Sequence, residues 1–188
     1  MSKPMHSAII WPEMFLPGMT DNFVSNEIIV KDITATQIWE QLSDVSKWQS
    51  YYKNCEQITE PENGPRLQKG DVFKFSTFGL PVLTCTVEEA VSPRPGNAGR
   101  LAWSTRLDGD PNERIEVYHA WLLEDLEGNM ARVLTQESQI GKPAAELARA
   151  KPNRMLLGHQ DWLDGLVKAV NGEVIGLTNL ESTSSRAH

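Results

Sequence analysis

The sequence predicts an α+β fold in which an antiparallel sheet of about seven strands packs against a long C-terminal helix, with two short helices after the first strand. In residues 153–171 the apolar side chains, among them Met155, Trp162 and Leu166, recur every three or four positions. This spacing is typical of one face of a helix about 27 Å long. Between residues 55 and 140, segments that alternate apolar and polar residues are separated by tight-turn sequences. A helix of this length needs a sheet to cover its apolar face, and those segments supply one.

The composition limits the kind of protein and its partners. A chain of 188 residues with 40% hydrophobic content is long enough for one buried core. We expect an N-terminal arm over residues 1–23, one domain over 24–172 and a flexible tail over 173–188. The net charge of -7 argues against nucleic acid and anionic membranes as partners, since both attract basic surfaces. No export signal or membrane-spanning apolar run is present, so we expect a cytoplasmic protein without membrane insertion.

The first part of the chain predicts an arm and two short helices. Trp11 and Phe15 stand among prolines in the arm, which therefore either covers an apolar surface of its own domain or forms a homodimer contact. A short helix is predicted over residues 37–42, with Thr34 or Thr36 as its N-cap. A second short helix follows it before residue 53.

The sheet is predicted from alternation and from the turn sequences that interrupt it. Strands are expected at residues 24–33, 58–60, 70–78, 82–91, 100–107, 114–123 and 131–140. The connections between the later strands are short and rich in Gly, Pro, Asp and Asn, which is typical of an antiparallel meander.

Side-chain parity along these strands predicts which residues face the helix. In the strand over 114–123, His119 lies on the apolar face, between Val117 and Trp121. In the last strand the parity is ambiguous. The face that we favour carries Glu137, which would place a carboxyl group near His119.

This order of elements resembles the START-like superfamily of helix-grip proteins, of the SRPBCC type. That superfamily includes polyketide cyclases and dehydrases, lipid-transfer domains and abscisic acid receptors. The resemblance covers residues 24–171 and rests on Ile38-Trp39 through Asp44 and Trp48, Val87-Glu88-Glu89 leading to Pro93, Arg100-Leu101-Ala102-Trp103, His119-Ala120-Trp121, and Arg132-Val133 through Glu137 to Gly141.

The resemblance implies that the sheet is curved and wraps round the long C-terminal helix, with a cavity between sheet and helix for a hydrophobic or aromatic small molecule, such as a lipid, a quinone or a polyketide-like compound. The turn Gly79-Leu80-Pro81 is similar to the gate loop of the abscisic acid receptors, although their His-Arg-Leu latch has no counterpart here. The expected ligand-binding residues are Leu80, Leu83, Val87, Trp103, Thr105, Val117, His119, Trp121, Glu137, Met155, His159 and Trp162.

Three polar residues in this set carry the candidate chemistry. His119 could act as a general acid or base, although an inward histidine is more often a hydrogen-bonded core residue. His119, His159 and Glu137 together are the inventory of a non-haem iron site, but their spacing in the sequence gives no support for one. Cys55 and Cys85 predict reduced thiols. We therefore expect no metal and no cofactor.

Three functions remain open from the sequence. The first is binding of a hydrophobic small molecule in the cavity. The second is an enzyme of the cyclase or dehydrase kind, in which His119 and Glu137 move protons on a bound substrate. The third is a protein-interaction or chaperone-cofactor module whose cavity is plugged by its tryptophans.

Overall fold

The computed structural model describes residues 6–172, which form one seven-stranded antiparallel sheet and four α-helices. The strands are β1 (Asn22–Lys31), β2 (Cys55–Thr59), β3 (Val72–Thr77), β4 (Leu83–Val91), β5 (Gly99–Leu107), β6 (Ile115–Leu126) and β7 (Met130–Ile140). Their order in the sheet is β1-β7-β6-β5-β4-β3-β2. Strands β2 to β7 therefore form the meander that the sequence predicts, and β1 pairs with the last of them.

The helices lie between these strands and after the last one. They are α1 (Ala35–Leu42), α2 (Trp48–Tyr51), α3 (Lys142–Arg149) and α4 (Arg154–Val170). Thr34 caps α1 in a reciprocal capping box with Gln37, which supplies partners for two backbone N–H groups. Asn153 caps α4 by accepting hydrogen bonds from the backbone N–H groups of Met155 and Leu156. The long C-terminal helix and both short helices are confirmed.

The helix α3 is absent from the sequence prediction. Its sequence, Lys-Pro-Ala-Ala-Glu-Leu-Ala-Arg, has a proline in the first turn and strong helix formers after it, which is the signal that could have revealed it. It is only eight residues long, and Ala144 is its one fully buried side chain. A helix this short is stable mainly through tertiary contacts, so its amphipathic pattern is weak.

Aromatic side chains fill the layer between the sheet and α4. Trp162 of α4 stacks on Tyr52 at a ring-centroid distance of 4.2 Å and lies 5.0 Å from Trp48 and 5.2 Å from Trp121. Trp103 of β5 joins the same cluster, 5.4 Å from Trp48. All four tryptophans are almost completely buried. The centre of the predicted cavity is therefore packed with rings.

The N-terminal arm packs on the opposite face of the sheet. Trp11 and Phe15 contact the ring of Tyr118 at centroid distances of 5.7 and 5.6 Å. Arg132 binds the backbone oxygen of Ser7. The arm covers its own sheet, which was one of its two expected roles, and a homodimer through the arm stays a prediction. The expected tail lies outside the described residues.

Two glycines of α4 allow the helix to lie close to its neighbours. A β-carbon at Gly165 would lie 2.0 Å from the carbonyl oxygen of Tyr51, and one at Gly158 would lie 2.3 Å from the ring of Phe78. The first neighbour is backbone and the second is the end of a side chain in the β3–β4 turn. The position of α4 therefore depends on the absence of a side chain at Gly165.

Both cysteines are buried thiols without a disulfide. Burial raises the pKa of the Cys55 and Cys85 thiols to about 12. We expect both to react with a thiol reagent at pH 8 at least about a thousandfold more slowly than exposed cysteines, because only the thiolate reacts. Both should react promptly in guanidinium chloride. A reagent that releases a chromophore when it reacts with a thiol measures the rate. Reaction of one thiol within seconds in the native protein would contradict this prediction.

Within residues 6–172, no helix is long and apolar enough to cross a membrane.

Candidate functional site

Strands β6 and β7 bring a histidine and a glutamate together. The register of the two strands places Glu137 directly opposite His119, and both side chains point toward α4. Glu137 Oε2 lies 3.1 Å from Nδ1 of His119. The parity that we favoured for the last strand is therefore the observed one, and it produces the expected contact.

Helix α4 adds a second histidine to this pair. His159 lies one helical turn after Met155, and its Nε2 is 3.3 Å from the same oxygen of Glu137. The two imidazole rings have centroids 4.5 Å apart. His119, Glu137 and His159, which we call the triad, are at most 4% exposed. Residues that are far apart in the sequence thus meet inside the protein.

Polar neighbours hold the triad in place. The Thr135 hydroxyl is hydrogen-bonded to Nε2 of His119 at 2.8 Å. Gln139 donates a hydrogen bond to Oε1 of Glu137, and Asn22 in turn donates to Gln139 at 2.7 Å. These contacts orient Oε2 of the glutamate toward both imidazoles.

The triad also determines the charge on His119. Burial, together with the neighbouring His159, holds the pKa of His119 well below its ordinary value of 6.5. Its imidazole is therefore neutral at neutral pH. A neutral imidazole can accept a proton from a ligand or offer a lone pair to a metal ion.

The space beside the triad is a small inner chamber of about 30 Å³, which has room for no more than a few water molecules. Ten of the twelve residues expected to bind ligand line it: Leu80, Leu83, Trp103, Thr105, Val117, His119, Glu137, Met155, His159 and Trp162. The other two, Val87 and Trp121, belong to the packed core instead. Strand parity predicts that a side chain points inward, but it does not show whether neighbouring side chains cover it.

A larger outer chamber of about 530 Å³ lies between the β3–β4 turn, α3 and the start of α4. It shares five wall residues with the inner chamber: Phe78, Leu80, Ile115, Gln139 and Met155. The outer chamber is also lined by Leu107, Glu113, Pro143, Glu146, Leu147, Ala150 and Arg154. These shared side chains lie at the boundary between the two chambers, so the outer chamber adjoins the inner one, which contains the triad.

Of the residues that line the outer chamber, sequence reasoning predicted only Leu80 and Met155 and missed the others. Those on α3 were missed with that helix. Phe78, Ile115 and Gln139 come at the ends of strands, where parity is least certain. The Gly79-Leu80-Pro81 turn was the one signal in the sequence that pointed to this end of the fold.

The triad offers two kinds of chemistry. Two imidazoles and a carboxyl group can move protons on a substrate that reaches the inner chamber. The same three side chains can hold a metal ion, since one nitrogen or oxygen atom from each of them lies within 4.8 Å of the other two.

Comparison with known proteins identifies a relative of this chain. No family model matches the chain, and no curated protein matches it. A crystal structure of the hypothetical protein jhp0584 from Helicobacter pylori is 44% identical and covers 90% of this chain and 99% of its own, with a TM-score of 0.83.

More distant structures share the fold. The di-domain aromatase/cyclase BexL of the BE-7585A biosynthetic pathway is 14% identical, covering 80% of this chain and 46% of its own, with a TM-score of 0.57. Norcoclaurine synthase from Thalictrum flavum is 10% identical, covering 80% and 94%, with a TM-score of 0.54. These neighbours have the same sheet wrapped round a long C-terminal helix. The chain therefore belongs to the same family as the Helicobacter pylori protein, and the more distant structures show that it has the helix-grip fold.

Proposed function

We propose that the protein binds a hydrophobic small molecule whose apolar body fills the outer chamber and whose polar end faces the triad. The observation that carries this proposal is that the outer chamber adjoins the inner one and shares five wall residues with it. A lipid, a quinone or a polyketide-like compound has the required shape, because each joins an extended apolar part to a polar group. The polar end would meet Gln139 and Glu137 at the inner chamber.

The size and lining of the outer chamber support this proposal. A volume of about 530 Å³ falls within the roughly 300–1,000 Å³ of small-molecule sites. Its walls are mostly apolar, and a few polar groups, including Arg154 and Gln139, are available to orient a ligand. The inner chamber alone is too small for such a molecule. The ligand therefore lies at the N-terminal end of α4, instead of along the whole helix.

Thermal unfolding against a panel of fatty acids, sterols, quinones, flavonoids and aromatic polyketides tests this function. A ligand at a hundred times its dissociation constant adds about 2.7 kcal/mol. For a chain of this size, that corresponds to a rise in Tm of about 5–11 °C. We expect such a rise for one chemical class.

A pair of variants locates the binding site. Leu147→Glu places a charge in the wall of the outer chamber and should weaken binding at least about tenfold. Leu157→Glu makes the same change on α4, at an exposed leucine outside both chambers, and should leave binding unchanged. Equal binding by the two variants would contradict the proposed site. A cooperative transition without any shift across the panel would instead favour the protein-interaction module.

The contact between His119 and Glu137 favours an enzyme as the second candidate function. A neutral histidine beside a carboxyl group, in a chamber that adjoins the larger apolar one, suits proton transfer on a bound polyketide-like substrate. In that case His119→Asn would abolish turnover of the ligand found by the panel while binding is retained. Unchanged turnover in this variant would exclude His119 as the acid or base.

A further inference from the structure

We propose that His119, Glu137 and His159 form a binding site for one divalent first-row transition-metal ion, with Zn²⁺ as the best match to their donor atoms. This inference departs from the metal-free pocket expected from sequence spacing. The three ligands come from β6, β7 and α4, and only the fold brings them together. The site does not depend on the organic ligand proposed above.

The distances within the triad suit a shared ion. Two donor atoms that each lie about 2.0–2.2 Å from one metal are about 3.0–3.5 Å apart when they occupy neighbouring coordination positions. Oε2 of Glu137 lies 3.1 Å from Nδ1 of His119 and 3.3 Å from Nε2 of His159. The donor atoms of all three residues lie within 4.8 Å of one another, and the two imidazole rings, which are nearly parallel, must rotate toward a common point to enclose an ion.

The surroundings of the triad match the outer contacts of a metal site. A metal-binding histidine usually donates its second N–H group to a fixed acceptor, which sets the tautomer. Thr135 is in position to accept from Nε2 of His119. In that tautomer Nδ1 presents a lone pair toward Glu137, and a cation between the two atoms makes the contact favourable. Gln139 holds the other oxygen of the glutamate.

The buried glutamate of the triad calls for a further partner. Within the part of the chain that the structure describes, no lysine or arginine lies within ion-pair distance of Glu137, although its side chain is only 5% exposed. A buried carboxylate is costly without a counter-charge. A bound cation would supply the counter-charge.

The site leaves room for a fourth ligand. All three residues of the triad line the inner chamber, whose volume of about 30 Å³ can hold a water molecule next to the ion. Two histidines, one glutamate and an open position are the donor set of several catalytic zinc sites, whereas structural zinc sites are closed by four protein ligands. The polar end of a ligand in the outer chamber could occupy the open position.

Titration with Co²⁺ tests the site through the visible absorption of the bound ion. The untagged full chain is first freed of metal with a chelator and then titrated with Co²⁺, and the Co²⁺ is displaced with Zn²⁺. We expect one equivalent of each ion to bind, with a rise in Tm of several degrees. Glu137→Gln and His159→Ala should each weaken binding at least about a hundredfold, since each removes a direct ligand.

His6→Ala is the matched control. His6 lies 3.7 Å from Glu124 in a second histidine–glutamate contact, but its side chain is 60% exposed and lies outside the triad. Binding should be unchanged in this variant. Binding that is lost in His6→Ala, or retained in both triad variants, would overturn the proposal, as would a wild-type protein that binds less than one equivalent.

A measurement on the wild-type protein makes the test independent of variant folding. The X-ray absorption spectrum of the zinc-loaded chain should show nitrogen and oxygen ligands at about 2.0–2.2 Å and two imidazole rings. Sulfur at about 2.3 Å would place the ion on a cysteine and overturn the proposal.

Thr135→Val, which retains all three ligands, should weaken binding about tenfold.

Discussion

Replacement of Trp162 by alanine is expected to lower the free energy of unfolding by about 3–5 kcal/mol, the largest effect of any single substitution that we consider. Trp162 is 2% exposed and packs against four other aromatic residues from both sides of the core. Removal of the indole creates a cavity. The neighbouring rings could fill it only by adopting unfavourable side-chain conformations. For a chain of 188 residues, Tm should fall by about 6–20 °C.

Two controls make this prediction specific to packing. Trp162→Phe keeps a ring between Tyr52 and Trp48 and should cost only about 1–2 kcal/mol. Added indole should raise the Tm of Trp162→Ala but not that of the wild-type protein, because an apolar cavity binds a small aromatic molecule of matching size. Urea unfolding followed by circular dichroism measures both effects. An alanine variant as stable as the phenylalanine variant would show that Trp162 is not the centre of the core.

Replacement of Gly165 by alanine is expected to destabilise the protein by about 3 kcal/mol, although the same change in an exposed helix usually stabilises by about 1 kcal/mol. The new β-carbon would lie 2.0 Å from the carbonyl oxygen of Tyr51 and 3.1 Å from its carbonyl carbon. Both atoms belong to the backbone at the end of α2, so neither can rotate away. Helix α4 would have to move from α2 and loosen the aromatic core.

Gly158→Ala provides the matched control on the same helix. Its β-carbon would meet the end of the Phe78 ring, at 2.3 and 2.5 Å from two ring carbons. That ring belongs to a turn and can rotate, so we expect a loss below about 1 kcal/mol. Urea unfolding of both variants gives the comparison. If Gly165→Ala were the more stable of the two, the close approach of α4 to α2 would be disproved.

The element order and the inward faces of the strands follow from the sequence alone. Alternation between apolar and polar residues is a local property, because each strand residue points opposite to its neighbours whatever the rest of the chain does. This is why the meander and the inward position of His119 could be predicted, and the three-to-four-residue apolar spacing predicted the long helix α4 in the same local way. The pairing of His119 with Glu137 follows as soon as the parity of β7 is chosen.

The shape of the cavity was decided by the tertiary structure. Whether Trp103 and Trp162 line a pocket or fill it depends on rotamers and on rings contributed by α2, β3 and β6, which are distant in the sequence. The larger chamber is formed in part by residues of α3. The sequence of this helix is too short to show a clear periodicity, so the chamber could not be predicted.

The contacts within the triad were also decided by the tertiary structure. The residue types of His119, Glu137 and His159 are visible in the sequence, but their separation along the chain conceals their contact. Only the packing of α4 against the sheet brings His159 to within 3.3 Å of Glu137. The sequence thus determined which side chains point inward. Packing between layers determined which of them touch, because that depends on distances between elements far apart in the chain.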